Sequence, residues 1–351
     1  LVGSEMCIRD RGKGNEYAFK KRYENDDSRF VVSAGCRDGW LWRWREKDAV
    51  PAAGKTYKVG IVQLVEHSAL DAANKGFVAG LANKGLKEGT NVTFDRQNAQ
   101  ADQSNLQNIA QRFVNNKVDL ICAIATPAAQ TVANATKDIP IVATAVTDYK
   151  IAKLVKDPAK PGTNVTGTTD MNPIKEQVEL LLKVVPTAKN IGVIYCSSEV
   201  NSQLQVDILK KEAAARNLTV KEATVSTVND IQQAANSLVG SVDALYIPTD
   251  NIMASAMPTL CKVTDEAKLA VICAEPGEVK AGGLITLGID YFRLGETAGE
   301  MAAEILQGKN KPQEMAIRSQ KEFKAVVNLK KATQLGIKIP EELLKGAEVL
   351  Q

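Results

Sequence analysis

The sequence predicts an α/β fold made of two doubly wound parallel-sheet lobes with a cleft between them. Three observations lead there. Short, near-continuous apolar runs recur along the chain, beginning with 59–65, as in strands covered by helices on both faces. Each run ends in a polar corner and is followed by apolar residues at helical spacing. Thus Glu66, His67 and Ser68 lead into Leu70, Ala73, Phe77 and Leu81. Finally, the strand–turn–helix pattern restarts after Pro173, so there are two halves.

The chain has 351 residues, enough for two domains of ordinary size. Hydrophobic content of 44% and charged content of 24% suit a globular protein. A formal net charge of +3 gives no argument for nucleic acid or an anionic membrane. No apolar run approaches the roughly 20 residues of a membrane-spanning helix. The six cysteines contain no CxxC pair, and His67 is the single histidine, so no zinc site is expected. The cysteines inside apolar elements read as buried free thiols.

Residues 1–50 differ from the rest. They are rich in charge and glycine, show no sustained period, and hold Trp40, Trp42 and Trp44. A secretory leader needs an apolar core of about 7–15 residues. The best candidate, 30–36, is shorter, and it resembles a lipoprotein cleavage site ending at Cys36 only loosely. We read 1–55 as a non-native or disordered leader and linker with an atypical or lost signal peptide, taking no part in binding. The stretch from Ala49 to Thr56 only superficially matches a phosphate-binding loop, which must follow a strand and open a helix.

From Tyr57 the elements alternate. Strands are expected at 91–97, 118–124 and 139–145, with helices at 102–116 and from Pro127, a favoured first helical residue. A strand at 164–169 leads to Asp170 and Pro173, the expected first crossing between lobes. Strands then fall at 191–195, 218–225, 242–247, 269–273 and 284–288, with helices between them, including one over 252–267. The helix carrying Leu294, Ala298, Met301, Ala302 and Ile305 stops at Gly308. Extended segments at 164–169, 281–288 and 314–328 mark three crossings. They place 56–168 with 282–313 in one lobe and 170–280 with 318–351 in the other.

Strand after strand ends in small polar residues. These are Glu66, His67 and Ser68; Thr126; Thr147 and Asp148; Ser197, Ser198, Glu199 and Asn201; Asp250 and Asn251; Glu275; and Asp290. Any one could be a helix cap. As a set, the carboxyl ends of parallel strands bring them to one edge of each sheet, where ligands bind in open α/β folds. There is no GxSxG elbow and no GxGxxG after a strand. No catalytic residue, cofactor or metal is expected.

Six segments carry a resemblance: Gln63 to Asp71, Ala125 to Gln130, Ala145 to Asp148, Tyr195 to Asn201, Pro248 to Asn251 and Leu287 to Tyr291. Together they resemble the ABC-transporter substrate-binding proteins of the tryptophan-binding type, over about 56–350. The resemblance implies a type I periplasmic-binding-protein fold, two lobes crossed three times and closing on a small solute. It also implies a bacterial, extracytoplasmic protein, periplasmic or a lipoprotein on the outer face of the cytoplasmic membrane. Such a protein is monomeric, delivers an aromatic or large apolar amino acid to an ABC permease, and is not an enzyme. The sequence departs from the pattern at Cys196, at Tyr149-Lys150-Ile151 and at Ala274 to Gly277.

Residue chemistry agrees with an amino acid. Thr126, Thr147, Ser197, Ser198 and helix-start amides can serve a carboxylate, and Asp250, Asp290 or Glu275 an ammonium. The alternatives are a sugar or other small solute, the effector-sensing domain of a regulator, which would need a helix-turn-helix within 1–50, and an α/β enzyme.

Overall fold

A computed structural model describes residues 55–351. The leader and the decoy loop, up to residue 54, lie outside the described residues. The first half of the chain alternates β1 (Tyr57–Gln63), α1 (Ser68–Asn83), β2 (Val92–Asn98), α2 (Gln103–Asn115), β3 (Leu120–Ile124), α3 (Thr126–Ala135), β4 (Ile141–Val146) and β5 (Val165–Thr169). Every residue of β3 and β4 is buried, which is why these strands read as unbroken apolar runs.

The second half continues with α4 (Ile174–Val184), β6 (Asn190–Cys196), α5 (Val200–Ala214), β7 (Thr219–Val225), α6 (Ile231–Leu238), β8 (Ala244–Ile247), α7 (Asn251–Ser255), α8 (Met257–Glu266), β9 (Ala270–Cys273), α9 (Pro276–Lys280) and β10 (Ile285–Gly288). The helix expected over 252–267 is two helices. Pro258 cannot donate to a preceding turn, so the chain breaks at Ala256 and restarts as α8. The chain ends with α10 (Tyr291–Leu306), β11 (Arg318–Ser319), β12 (Lys324–Asn328), α11 (Leu329–Leu335), α12 (Glu341–Leu344) and β13 (Glu348–Leu350).

The strands form two sheets, ordered β11-β5-β4-β3-β1-β2 and β13-β12-β10-β9-β8-β6-β7. All pairs are parallel except β10 with β12. Two boundaries differ from expectation. β10 belongs to the second sheet, next to β9, so 282–288 lie in the second lobe and the chain returns to the first at Ile289-Asp290. A four-residue buried strand has the same apolar pattern in either sheet, so sequence cannot say which neighbour it pairs with. The extended stretch 314–328 divides likewise: β11 joins the first sheet and β12 the second, which puts 318–319 in the first lobe.

α10, on returning, packs on α1 in backbone contact. A Cβ at Gly76, Gly80, Gly295 or Gly299 would lie about 2 Å from a carbonyl oxygen of the facing helix. Glycine weakens an isolated helix by about 0.5–1 kcal/mol; here it lets two helices touch. The first lobe's core runs from Val59 and Phe77 through Phe113 to Met301. The second lobe holds two apolar clusters, one on each face of its sheet. Cys122, Cys196, Cys261 and Cys273 are buried free thiols, and burial pushes Cys261 up to about 11.

Candidate functional site

The loops at the carboxyl ends of the two sheets meet. His67 Nε2 lies 3.3 Å from Asn251 Oδ1, and Gln205 Nε2 donates to Thr147 Oγ1 over 3.4 Å. Ser68 also abuts α9, since a Cβ at Gly277 would fall 2.2 Å from its Oγ. The lobes are therefore in contact around a cavity of about 10 Å³, lined by His67, Thr147, Asp170, Asn201, Thr249, Asp250, Asn251, Glu275, Glu278 and Tyr291. A cleft of about 440 Å³ lies to one side, between Leu64, Leu106 and Pro127 of the first lobe and Cys196, Ser198, Glu199 and Ile252 of the second. Another, of about 270 Å³, lies beside the crossings and shares Glu275 and Tyr291 with the central cavity.

The carboxyl groups here are held by local backbone geometry. Asp250 caps α7, accepting from Met253 N at 2.9 Å, and its other oxygen accepts from Cys196 N at 2.6 Å and Ser202 Oγ at 2.7 Å. Glu275 caps α9, accepting from Glu278 N at 2.8 Å and from Gly277 N. Asp170 accepts from Thr147 Oγ1 and Tyr291 Oη, both at 3.0 Å. Glu199 accepts from Asn201 Nδ2 at 2.9 Å and Asn251 Nδ2 at 2.6 Å. Glu278 accepts from Ala274 N at 3.1 Å through Oε2, while its buried Oε1 has no partner.

Burial dominates their acidity, because removing a carboxylate from water disfavours its charge. It pushes Glu275 up to about 7 and Glu278 well above the carboxyl range, with the charges of Glu275 and Asp250 adding to the effect. Glu199 is pushed up to about 8 by burial and then by Asp250. Asp170 and Asp250 also rise through burial, with the donors on Asp250's oxygens opposing the rise. Burial pushes His67 down to about 4, so its ring is neutral at pH 7.

Of the residues read from sequence, the structure gathers His67, Thr147, Asn201, Asp250, Asn251 and Glu275 around this cavity, with Glu199 bonded to Asn201 and Asn251 and lining the adjoining cleft. Others stand apart. Glu66, Ser68, Ser197 and Ser198 are exposed, although Ser68 and Ser198 line the flanking clefts. Asp148 closes a turn by accepting from Lys150 N and Ile151 N. Thr126 is buried in the first turn of α3 and does not line the cavity. Asp290 does not line the central cavity: its side chain is 55% exposed, caps α10 through Arg293 N at 3.1 Å, and borders the flanking cleft that Glu275 and Tyr291 also line.

Asp170, Gln205, Glu278 and Tyr291 were absent from the candidates. Asp170 carried the same signal as the others, a polar residue ending a strand. Gln205 and Glu278 lie one helical turn beyond Asn201 and Glu275, and spacings of four and three keep them on the same helix face.

Residues 58–350 match the ABC transporter substrate binding protein family. The chain belongs to that family. Its members are solute-binding proteins that act outside the cytoplasm with ABC permeases, and they are not enzymes. This substrate-binding protein is 52% identical over 256 residues to the tyrosine-binding protein of Clostridioides difficile, covering 73% of this chain and 74% of that one. It is 40% identical to an ABC domain from Streptococcus pneumoniae solved with L-Trp, with a TM-score of 0.82, covering 85% of this chain and all of that one. It is 46% identical to a ligand-free, open substrate-binding protein with adhesive properties from Clostridium difficile. There the TM-score is only 0.66, over 84% of this chain and 99% of that one. The superposition is thus better on the L-Trp complex than on the ligand-free, open structure.

Proposed function

We propose that this protein captures a free amino acid, aromatic or large and apolar, between its lobes and hands it to its permease. The observation that carries this reading is the charge of the cavity. Four carboxyl groups, Asp170, Asp250, Glu275 and Glu278, line it together with no lysine or arginine. Buried carboxylates need counter-charge, and a solute's ammonium supplies it through charge-assisted bonds. The adjoining cleft, with Leu64, Leu106, Pro127 and Ile252, offers apolar surface to a large side chain. Ser198 and the first turn of α3 are candidates for the carboxylate, since free N–H groups and the helix dipole favour an anion there. Relatives that bind tyrosine and L-Trp support the aromatic class.

We place the protein in the periplasm or on the outer face of the cytoplasmic membrane, with Cys36 as the residue a lipid anchor would use. We place it as a monomer without a nucleic-acid partner, its net charge of +3 being too small to argue for one. A thermal-shift panel of the twenty amino acids and common sugars tests the reading, because a ligand that binds only the native state raises Tm. Shifts with tyrosine, tryptophan or phenylalanine are expected. A shift confined to sugars would refute the amino-acid class.

A further inference from the structure

We propose that the solute's ammonium is seated by three acceptors, His67 Nδ1, Asn201 Oδ1 and Glu278 Oε1, so that the site selects a primary amine. This rests on the amino-acid reading and names the groups behind it. Among the described residues, five buried side-chain polar atoms have no hydrogen-bond partner, and these three belong to residues lining the same cavity of about 10 Å³. Buried polar atoms are rarely left unpaired, so such a concentration calls for a partner.

The hydrogen-bond network fixes Asn201 Oδ1 and His67 Nδ1 as acceptors, and Glu278 Oε1 becomes the third when its buried carboxyl gives up its proton to solvent as the ammonium binds. Asn201 commits Nδ2 to Glu199 at 2.9 Å and to the Thr249 carbonyl at 3.0 Å, which leaves Oδ1 without a partner. Asn251 directs Nδ2 at Glu199 Oε2 over 2.6 Å, so its Oδ1 is the atom turned to His67. His67 Nε2 must then carry the ring proton, and Nδ1 presents a lone pair. Glu278 is fully buried and has Oε2 engaged with Ala274 N, leaving Oε1.

Three acceptors around a space the size of one small group require three donors. A hydroxyl supplies one and a secondary ammonium two; a primary ammonium supplies all three and also brings positive charge to the surrounding carboxyl groups. A planar guanidinium is too large for this space. The seat is therefore distinct from Asp250, whose oxygens are already taken by backbone and serine donors.

The test is calorimetric titration of the full chain with L-tryptophan, N-methyl-L-tryptophan and indole-3-propionic acid, which lacks the amino group. L-Tyrosine serves as a second parent ligand. Loss of hydrogen bonds to a charged group should weaken binding on the order of tenfold for the N-methyl compound and a hundredfold or more for the deaminated one. His67→Phe, Asn201→Leu and Glu278→Gln should each weaken L-tryptophan about tenfold or more and leave the residual affinity for indole-3-propionic acid unchanged. Melting temperatures identify any variant that fails to fold, and the analogue series needs no variant. Equal affinity for L-tryptophan and its N-methyl derivative, or folded variants with unchanged L-tryptophan affinity, would overturn the seat while leaving the amino-acid reading intact. Binding of no amino acid at all would overturn both.

Discussion

Tyr291 donates its hydroxyl to Asp170 Oδ2 over 3.0 Å and so ties the second crossing between the lobes to the first. Gln320, in the third crossing, accepts from Asp290 N at 3.1 Å and donates to Asp290 O at 2.5 Å. Two side chains thus link all three crossings into one strip beside the site, a suitable pivot for hinge closure. Tyr291→Phe leaves a buried carboxyl oxygen of Asp170 without a partner. The expected cost is about 1–3 kcal/mol, read as a lower melting temperature. A melting temperature equal to wild type would show that the bond is not structural.

Asp250 and Asp290 are both helix caps at strand ends, but they should respond differently to alanine. Asp250→Ala strands three buried donors, Cys196 N, Ser202 Oγ and Met253 N, and should cost about 3 kcal/mol or more. Asp290→Ala removes an exposed cap and should cost about 1 kcal/mol, with amino-acid affinity near wild type. Denaturant unfolding and calorimetry on the two variants check this. Loss of binding in Asp290→Ala would contradict the placement described here.

The site should be sensitive to pH in a defined direction. Glu275, Glu278 and Glu199 have raised pKa values in the folded state. The stability they contribute is full below the ordinary carboxyl range and is lost as pH rises through the folded values. His67 acts oppositely. Its folded pKa is depressed to about 4 from 6.5, so its contribution holds above 6.5 and is lost as pH falls. Above pH 6.5 the carboxyl groups alone decide. The Glu275–Glu278 pair faces Asp170, Asp250, Tyr246, Tyr291, Cys261 and Cys273, and the cation Lys280 is half exposed and paired with Glu348 at 2.8 Å. The melting temperature without ligand should fall from pH 6.5 to 8.5. Affinity for L-tryptophan should rise over the same range, by up to about tenfold per pH unit for each proton displaced. Titrations in buffers of different ionisation enthalpy should show proton release; none, with flat affinity, would contradict this coupling.

The contact between α1 and α10 should be intolerant of a single methyl group. A Cβ at Gly80 would fall 2.0 Å from Glu296 O. Although alanine favours helix, Gly80→Ala should destabilise by about 1–3 kcal/mol through overpacking. An increase in melting temperature would mean the helices separate freely.

Much of this was legible in sequence, for a physical reason. Strands such as β3 and β4 are buried on both faces, so their apolar runs are unbroken and their polar ends stand out. His67, Thr147, Glu199, Asn201, Asp250, Asn251 and Glu275 were found from that position alone. The same position also produces exposed residues, such as the cap Asp290 and the loop residue Glu66, which is why these two looked equivalent to them. Periodicity reports an element's type but not its neighbour, and so β10 could not be assigned to its sheet. Glu278 and Gln205 were hidden because a polar residue inside a helix has no local mark; only the fold shows which face turns to the cavity.

The central claim is that a free amino acid lies between the lobes with its amino group in the acid-lined cavity. A crystal structure of the full chain grown with L-tryptophan or L-tyrosine tests it most directly. The account predicts the ligand nitrogen within hydrogen-bond distance of His67 Nδ1, Asn201 Oδ1 and Glu278 Oε1, with the side chain in the cleft bounded by Leu64, Leu106, Pro127 and Ile252. A ligand carboxylate in that cavity, or an amino acid bound away from the interlobe cleft, would contradict it.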